Sequence, residues 1–197
     1  MADILGINLS EITAKEALKK IVGFLAGPGQ HYIVTPNPEI ILEARRDKEF
    51  FNILNKADLA LADGFGLQIA GRLTGQHLAR VTGSDLTVEL LTMAAREGIK
   101  TAILNWRGGL STAEEIQSVL EKKFSDLKFI TLDVERTPLL TTETISRIND
   151  FQPALLFSAL GFPYQEKIIF HNLNRLPSVR VALGVGGSFD FLTGRAK

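Results

Sequence analysis

Short apolar runs alternate with segments of helical periodicity along the whole of this 197-residue chain. The run over residues 154–160 is apolar except for Ser158, which is typical of a strand buried on both faces of a sheet. Residues 13–25, in contrast, carry apolar side chains at helical spacing. Regular alternation of this kind favours an α/β fold with a mostly parallel, Rossmann-like sheet and helices on both of its faces.

The same pattern predicts where the individual elements lie. Strands are predicted at residues 31–34, 58–62, 101–105, 128–132, 154–160 and 179–185, and Ile4–Ile7 is a further short apolar run. Helices are predicted over 13–25, from 38, over 66–73, from 83–85 to 96, from 111, from 141 and over 164–173. Ser84 or Asp85 is the predicted N-cap of the helix near residue 83. Ser111-Thr112-Ala113-Glu114 has the pattern of a capping box.

Composition narrows the class of protein. Hydrophobic residues make up 45% of the chain, and the length predicts a single domain over residues 1–197. The 22 basic and 22 acidic residues cancel, so the chain lacks the basic surplus of a general nucleic-acid binder. The absence of cysteine excludes disulfides, thiolate metal sites and a cysteine nucleophile. We see neither a signal peptide nor the roughly 20 apolar residues that span a bilayer, which predicts a cytoplasmic protein.

Polar residues follow two of the predicted strands where each strand ends. Residues 31–34 run into Thr35-Pro36-Asn37-Pro38-Glu39, and residues 59–61 run into Ala62-Asp63-Gly64-Phe65-Gly66. Ligands of open α/β sheets bind at the carboxyl ends of the strands, so we expect both segments to border one crevice. A hydroxyl, an amide and a carboxylate would meet there, which points to a transferase that uses a hydroxyl group.

Asp63 is the strongest candidate for a catalytic residue. Its apolar neighbours predict a partly desolvated carboxylate with a raised pKa, which would make it a better general base at neutral pH. The alternative is that Asp63 caps the helix that follows. Gly64 and Gly66 favour the catalytic interpretation slightly, because glycine lets a ligand approach the backbone.

Thr35 and Asn37 flank Pro36, and Pro38 follows them. A residue before proline is biased toward extended backbone, so this segment is predicted to be stiff. A stiff polar strand end suits hydrogen bonding to a sugar. The alternative is an ordinary strand-to-helix turn in which Asn37 caps the helix.

Two further loops carry candidate binding residues. Gln165 and Glu166 lie in the first turn of a predicted helix, where Gln165 would bind hydroxyl or amide groups and Glu166 would complement the helix dipole. The glycine-rich turn over residues 184–190 would present backbone N–H groups to a pyrophosphate. This turn lacks the full spacing of a dinucleotide fingerprint and does not follow the first strand, so it is weak evidence for NAD.

The sequence offers little evidence for a metal site. Asp133-Val134-Glu135 follows a predicted strand and would suit a divalent cation with a nucleotide diphosphate, or the two acids are simply solvated. Arg80 and Arg107 lie near predicted element ends and are candidate phosphate contacts, although most such arginines are surface residues.

Five motifs in this order resemble the WecG/TagA/CpsF family of glycosyltransferases. They are Thr35-Pro36-Asn37-Pro38-Glu39, Ala62-Asp63-Gly64-Phe65-Gly66, Arg80-Val81-Thr82-Gly83-Ser84-Asp85, Gly161-Phe162-Pro163-Tyr164-Gln165-Glu166 and Gly184-Val185-Gly186-Gly187-Ser188-Phe189-Asp190. They span nearly the whole chain, and five motifs in order are far more specific than any one of them.

The resemblance implies a reaction and a set of site residues. The reaction is inverting transfer of N-acetylmannosamine from UDP-N-acetylmannosamine to N-acetylglucosamine on pyrophosphoryl-undecaprenol, with a β-1,4 link and no metal or other cofactor; relatives use UDP-N-acetylmannosaminuronic acid or other sugars. This is a step in making the linkage unit of wall teichoic acid. The resemblance implies Asp63 as base for the acceptor hydroxyl, with Thr35 beside it. The implied substrate-binding residues are Asn37, Arg80, Gln165, Glu166, Gly184, Gly186, Gly187 and Asp190.

The end of the sequence departs from the family pattern. Family members continue past Arg195-Ala196 with a basic and apolar tail, similar to a lid that contacts UDP and the membrane. We therefore expect a chain shortened at its C-terminus, with weak or no turnover. The resemblance implies a peripheral protein at the inner face of the cell membrane, held there by the tail. An apolar patch left by the tail would favour a homo-oligomer.

Two other classes of function stay open from the sequence alone. A nicotinamide-dependent oxidoreductase would bind its cofactor at the 184–190 turn. A non-catalytic sugar-nucleotide binding protein would bind UDP with no activity that depends on Asp63.

Overall fold

A computed structural model describes residues 1–196 and shows an α/β fold. The strands are β1 (Ala2–Ile4), β2 (Ile7–Leu9), β3 (His31–Val34), β4 (Leu59–Ala60), β5 (Thr101–Trp106), β6 (Phe129–Val134), β7 (Leu155–Ala159) and β8 (Val181–Gly184). The helices are α1 (Ala14–Ala26), α2 (Pro38–Ala44), α3 (Lys48–Asn55), α4 (Phe65–Leu73), α5 (Gly83–Glu97), α6 (Ala113–Lys123), α7 (Thr142–Phe151), α8 (Tyr164–Asn172) and α9 (Ser188–Thr193).

Six of the strands form one parallel sheet in the order β4-β3-β8-β7-β5-β6. This confirms the prediction of a mostly parallel, Rossmann-like sheet. The strand β4 is shorter than the predicted strand over 58–62, but backbone pairing continues beyond it. Leu61 N–H donates to Val34 C=O at 2.9 Å, and Asp63 N–H donates to Pro36 C=O at 2.8 Å. The two polar segments that follow β3 and β4 therefore run side by side.

Helices cover both faces of the sheet, as the alternation predicts. One apolar core contains side chains of α2, α3, α7 and α8, among them Phe50 and Ile148. The other contains side chains of α1, α5, α6 and α9, among them Leu90. Neighbouring strand residues alternate between the two cores, with Leu156 in the first and Phe157 in the second. The central strands are thus buried on both sides, which explains their unbroken apolar sequence.

The N-terminal apolar run is a small β-hairpin that forms its own two-stranded sheet beside β4, where Ser10 N–H donates to Ala60 C=O at 2.8 Å. Strands β1 and β2 pair antiparallel through a turn at Leu5-Gly6. The inward-facing residues, including Ile4 and Ile7, join the core that contains α2 and α3. The turn needs glycine because Gly6 has φ +86°.

The helix predicted from residue 38 begins there, and a second helix follows it, because the Asp47 side chain accepts a hydrogen bond from Phe50 N–H at 3.0 Å and begins α3. Two helix caps differ from the sequence predictions. The cap of α5 is Thr82, which lies two residues before Ser84 and three before Asp85. The capping box of α6 pairs Thr112 with Glu115, one residue later than predicted. In each case a neighbouring polar residue could cap equally well, so the sequence pattern did not separate them.

Candidate active site

A cleft of about 380 Å³ opens at the carboxyl ends of β3, β4, β7 and β8. The cleft brings together most of the predicted site residues. Its lining includes Thr35, Asn37, Asp63, Gly83, Ser84, Gly161, Gln165, Gly186, Gly187 and Phe191. The crevice expected from the two polar segments therefore exists, and the glycine-rich turn after β8 forms its opposite wall.

Asp63 projects into this cleft from the end of β4. Its Oδ2 atom accepts a hydrogen bond from the backbone N–H of Gly83 at 3.0 Å, at the start of α5. Asp63 does not cap the helix that follows it, because Gly64 occupies the N-cap position of α4 and no side chain caps that helix. Burial raises the pKa of the Asp63 carboxyl above its usual range, while the Gly83 amide and the Arg80 charge oppose that rise. This confirms the predicted direction of the pKa shift.

Thr35 lies close to Asp63 because both approach the same glycine. A Cβ atom at Gly83 would lie 3.1 Å from Thr35 Oγ1 and 3.8 Å from Asp63 Oδ2. Thr35 is 8% exposed, and its hydroxyl is 3.5 Å from Gly184 C=O, which is a weak contact. Glycine at position 83 therefore leaves the space in which a buried hydroxyl and a carboxylate converge.

Asn37 caps a helix, which was the alternative interpretation of this residue from the sequence. Its Oδ1 atom accepts a hydrogen bond from Ile40 N–H at 2.8 Å and caps α2, with Pro38 in the first turn. Asn37 also lines the cleft, so the cap fixes its side chain at the edge of the site. The first turn of α2 also packs closely against the start of α4, because a Cβ atom at Gly66 would lie 2.9 Å from Pro38 Cγ.

Gln165 connects α8 to the glycine-rich turn. Its Oε1 atom accepts a hydrogen bond from Gly186 N–H at 2.8 Å, and its Nε2 atom donates to Glu166 Oε1 at 2.6 Å. A Cβ atom at Gly184 would lie 2.8 Å from the Gln165 amide. The N–H of Gly186 is therefore already used within the protein, which corrects the expectation that this amide faces a pyrophosphate. Gly184, which has no side chain, leaves the space that the Gln165 side chain occupies.

Glu166 lies behind the cleft and does not line it. The side chain is 1% exposed, and burial raises the pKa of its carboxyl to about 7. Its Oε2 atom has no hydrogen-bond partner among residues 1–196, and the same holds for the buried hydroxyl of Tyr32. Glu166 lies in the first turn of α8, where it was expected to complement the helix dipole, but it does not line the cleft as a substrate contact would. Its contact with the cleft is indirect, because it holds the Gln165 amide.

A second cavity of about 230 Å³ continues from the cleft, because Gly161, Gly186 and Gly187 line both. Its walls also include Asn105, Trp106, Arg136 and Asp190. Asp190 Oδ1 accepts a hydrogen bond from Ser111 Oγ at 2.6 Å, which ties the start of α9 to the loop before α6. Asp190 is therefore near the glycine-rich turn, as predicted, but faces this second cavity.

Arg136 is a candidate site residue that the sequence did not indicate. Its guanidinium carbon lies 3.4 Å from the centre of the Trp106 ring, and its Nε atom donates to Leu160 C=O at 2.6 Å. Arg136 also approaches Gly161, which borders both cavities. Only its position just after Asp133-Val134-Glu135, at the carboxyl end of β6, could have suggested this role.

The other charged candidates do not line the cleft. Arg80 lines a separate cavity between α1 and α5. Asp133 accepts a hydrogen bond from Asn105 at 2.7 Å, and Arg107 pairs with Glu135 at 3.4 Å. Among residues 1–196, no three histidine, cysteine or acidic side chains are grouped as a metal site would require.

Comparison with known proteins identifies the family. The model of the "Glycosyl transferase WecG/TagA/CpsF family" matches residues 2–197. The chain belongs to this family. The resemblance drawn from the five motifs is therefore confirmed, and the nicotinamide-dependent oxidoreductase is disfavoured.

Two relatives of this family member have a named activity. An N-acetylglucosaminyldiphosphoundecaprenol N-acetyl-beta-D-mannosaminyltransferase from Bacillus subtilis (strain 168) is 34% identical over 84% of the chain and 63% of its own length. A protein of the same name from Staphylococcus aureus (strain MRSA252) is 30% identical over 99% of the chain and 76% of its own length. The chain therefore spans about two thirds to three quarters of these relatives.

Within residues 1–196, every helix is too short or too polar to cross a bilayer.

Proposed function

We propose that this chain is an inverting glycosyltransferase that moves N-acetylmannosamine from UDP-N-acetylmannosamine to N-acetylglucosamine on pyrophosphoryl-undecaprenol, forming a β-1,4 link. The names of the relatives support the sugar and the acceptor. The observation that carries the proposal is the placement of Asp63, a half-buried carboxylate that projects into a cleft at the carboxyl ends of the strands.

Asp63 acts as the general base in this proposal. The acceptor hydroxyl gives its proton to the carboxylate while the hydroxyl oxygen forms a bond to the anomeric carbon of the donor. The bond from that carbon to the diphosphate breaks, and UDP leaves with the electron pair. The hydrogen bond from Gly83 N–H fixes the orientation of the carboxylate, and the neighbouring Thr35 hydroxyl is placed to bind a sugar hydroxyl.

The second cavity is the proposed site of the nucleotide. Trp106 offers an apolar ring and Asp190 a carboxylate suited to ribose hydroxyls. Arg136 supplies a cation beside Gly161, at the junction of the two cavities, where the charge of the departing diphosphate develops. We expect a reaction that needs no metal, so that excess EDTA leaves the rate of transfer unchanged.

The deciding experiment measures transfer from UDP-N-acetylmannosamine to an N-acetylglucosamine-pyrophosphoryl-lipid analogue. It compares the native protein with Asp63→Asn, both as this chain and extended by the C-terminal tail that the family resemblance implies. We expect product from the extended native protein, a rate at least roughly 100-fold lower for extended Asp63→Asn, and unchanged UDP binding in both. This chain alone should show weak or no turnover. Asp126→Asn is the matched control, because Asp126 is exposed at the opposite end of the sheet.

The other interpretations give different results in this experiment. If product forms only with UDP-N-acetylmannosaminuronic acid, or with another UDP-sugar, Asp63 would remain the proposed base and the proposed donor would be replaced by that sugar nucleotide. UDP binding without transfer from any donor, even with the tail, would favour a non-catalytic sugar-nucleotide binding protein. Loss of UDP binding in Asp63→Asn would make Asp63 a structural residue.

The lipid-linked acceptor also leads us to propose peripheral association with the inner face of the membrane.

A further inference from the structure

A third cavity lies beside the active-site cleft, between the N-terminal turns of α1 and α5. Its volume is about 380 Å³, which lies within the range of roughly 300–1,000 Å³ typical of small-ligand sites. Leu18, Val81 and Leu86 give it apolar walls, and Lys15 and Arg80 are cations on its lining. We call this cavity the α1–α5 groove.

The groove and the active-site cleft lie on two sides of the same turn of chain. Thr82 and Asp85 line the groove, whereas Gly83 and Ser84 between them line the cleft. Arg80 also acts across this turn, because its charge lowers the pKa of Asp63. A molecule that occupied both spaces would therefore pass from the base to the groove over the start of α5.

The chemistry of the groove suits a ligand with an anionic end and an apolar end. Both α1 and α5 begin at this end of the sheet, so their N-terminal dipoles add to the charges of Arg80 and Lys15. Two carboxylates, Asp85 and Glu89, also line the groove, and Asp85 is held by a hydrogen bond from Thr82. The remaining wall is mostly aliphatic.

We propose that the α1–α5 groove binds the prenyl diphosphate end of the acceptor, with the diphosphate at Arg80 and the first isoprene units against Leu18, Val81 and Leu86. The inference rests on the proposed function, which places the acceptor sugar at Asp63. An acceptor joined to a diphosphate and then to an isoprenoid chain has the same order of groups as the structure: base, cation, apolar groove. The limited volume accommodates only the start of the chain.

Direct binding tests the proposal without turnover. The probes are farnesyl diphosphate, inorganic diphosphate and UDP, measured by calorimetry on this chain. We expect farnesyl diphosphate to bind at least roughly tenfold more tightly than inorganic diphosphate, because the groove adds apolar burial. Saturating UDP should not displace it. Equal affinity of the two diphosphates, or displacement by UDP, would overturn the proposal.

Two substitutions locate the bound ligand. Leu18→Gln should weaken farnesyl diphosphate roughly tenfold and leave inorganic diphosphate unchanged. Leu25→Gln is the matched control, since Leu25 is a similarly half-buried residue of α1 outside the groove. Arg80→Gln should weaken both diphosphates, whereas Lys19→Gln on the exposed side of α1 should weaken neither.

The outcomes separate this inference from the proposed function. Suppose that sugar transfer is observed but that Leu18→Gln and Leu25→Gln change the binding of farnesyl diphosphate equally. This result would support the proposed function and overturn the proposal that the groove binds the prenyl diphosphate. Selective loss of farnesyl diphosphate binding in Leu18→Gln supports the groove, and absence of transfer would then count against the proposed function alone. Self-association that Leu18→Gln abolishes, without prenyl binding, would assign the groove to a second copy of the chain and overturn the proposal.

Discussion

Gln165 donates a hydrogen bond of 2.6 Å to the carboxylate of Glu166, the residue that follows it in the chain. Both side chains are buried, and the other end of the Gln165 amide accepts a hydrogen bond from Gly186 N–H. The position of the glycine-rich wall of the cleft therefore depends on a buried acid that does not reach the cleft. We treat Glu166 as a positioning residue.

The stability of the protein should depend on pH through Glu166. Its pKa is raised from 4.5 to about 7 in the folded protein, so the folded state favours the neutral acid. The resulting stabilisation is complete below pH 4.5, declines as pH rises, and is lost above pH 7. The shift corresponds to roughly 3 kcal/mol. Urea unfolding at pH 5 and pH 8 should show this decline in the free energy of unfolding of the native protein but not of Glu166→Gln. An equal change between the two pH values in both proteins would contradict the role of Glu166.

Gly184→Ala should disturb the same wall from the other side. The new Cβ atom would lie 2.8 Å from the Gln165 amide, so Gln165 must move and release Gly186. We expect a loss of roughly 1–3 kcal/mol in the free energy of unfolding, and a rate of transfer lowered roughly tenfold. Unfolding and transfer assays measure the two effects.

Gly23→Ala is the control for that substitution. Gly23 lies within α1, and a Cβ atom there meets nothing within 4 Å. Alanine should therefore stabilise the helix by roughly 0.5–1 kcal/mol and leave transfer unchanged. A similar loss of stability in both variants would show that the contact with Gln165 is not the cause.

The pH dependence of transfer should follow the ionisation of Asp63. Because the base works only when it is ionised, kcat/KM falls as pH drops through the pKa of Asp63, which burial has raised. Arg80 lowers that pKa, so Arg80→Gln should move the acid limb of the profile to higher pH. Arg72→Gln on α4 should leave the limb in place. An acid limb that is unchanged in Arg80→Gln would show that Arg80 does not affect the ionisation of the base.

Local patterns predicted the parallel sheet and much of the site. Apolar runs ended at polar segments, and the parallel sheet placed those ends together, so the position of Thr35 and Asp63 in one cleft could be predicted from the sequence; their catalytic roles stay predictions. The interpretation of Asn37 as a helix cap and its place at the cleft were both correct, since one residue fills both roles.

Contacts between distant segments could not be predicted in this way. The bond between Gln165 and Gly186 joins residues 21 positions apart, and no local pattern encodes it. The stacking of Arg136 on Trp106 joins the ends of two adjacent strands and depends on the sheet order. Side-chain packing in three dimensions, and not periodicity, determines such contacts.

Gly83→Ala tests whether Thr35 and Asp63 truly converge at α5. The added Cβ atom would lie 3.1 Å from Thr35 Oγ1, so the substitution should destabilise the protein and slow transfer. If the hydroxyl causes the crowding, Thr35→Ala should relieve it, and the double variant should be more stable than additivity predicts by roughly 0.5–3 kcal/mol. Urea unfolding of the four proteins in this cycle measures the coupling. Additive changes would mean that the strain at position 83 arises from atoms other than the γ atoms of Thr35, because Thr35→Ala removes its hydroxyl and its γ-methyl group together.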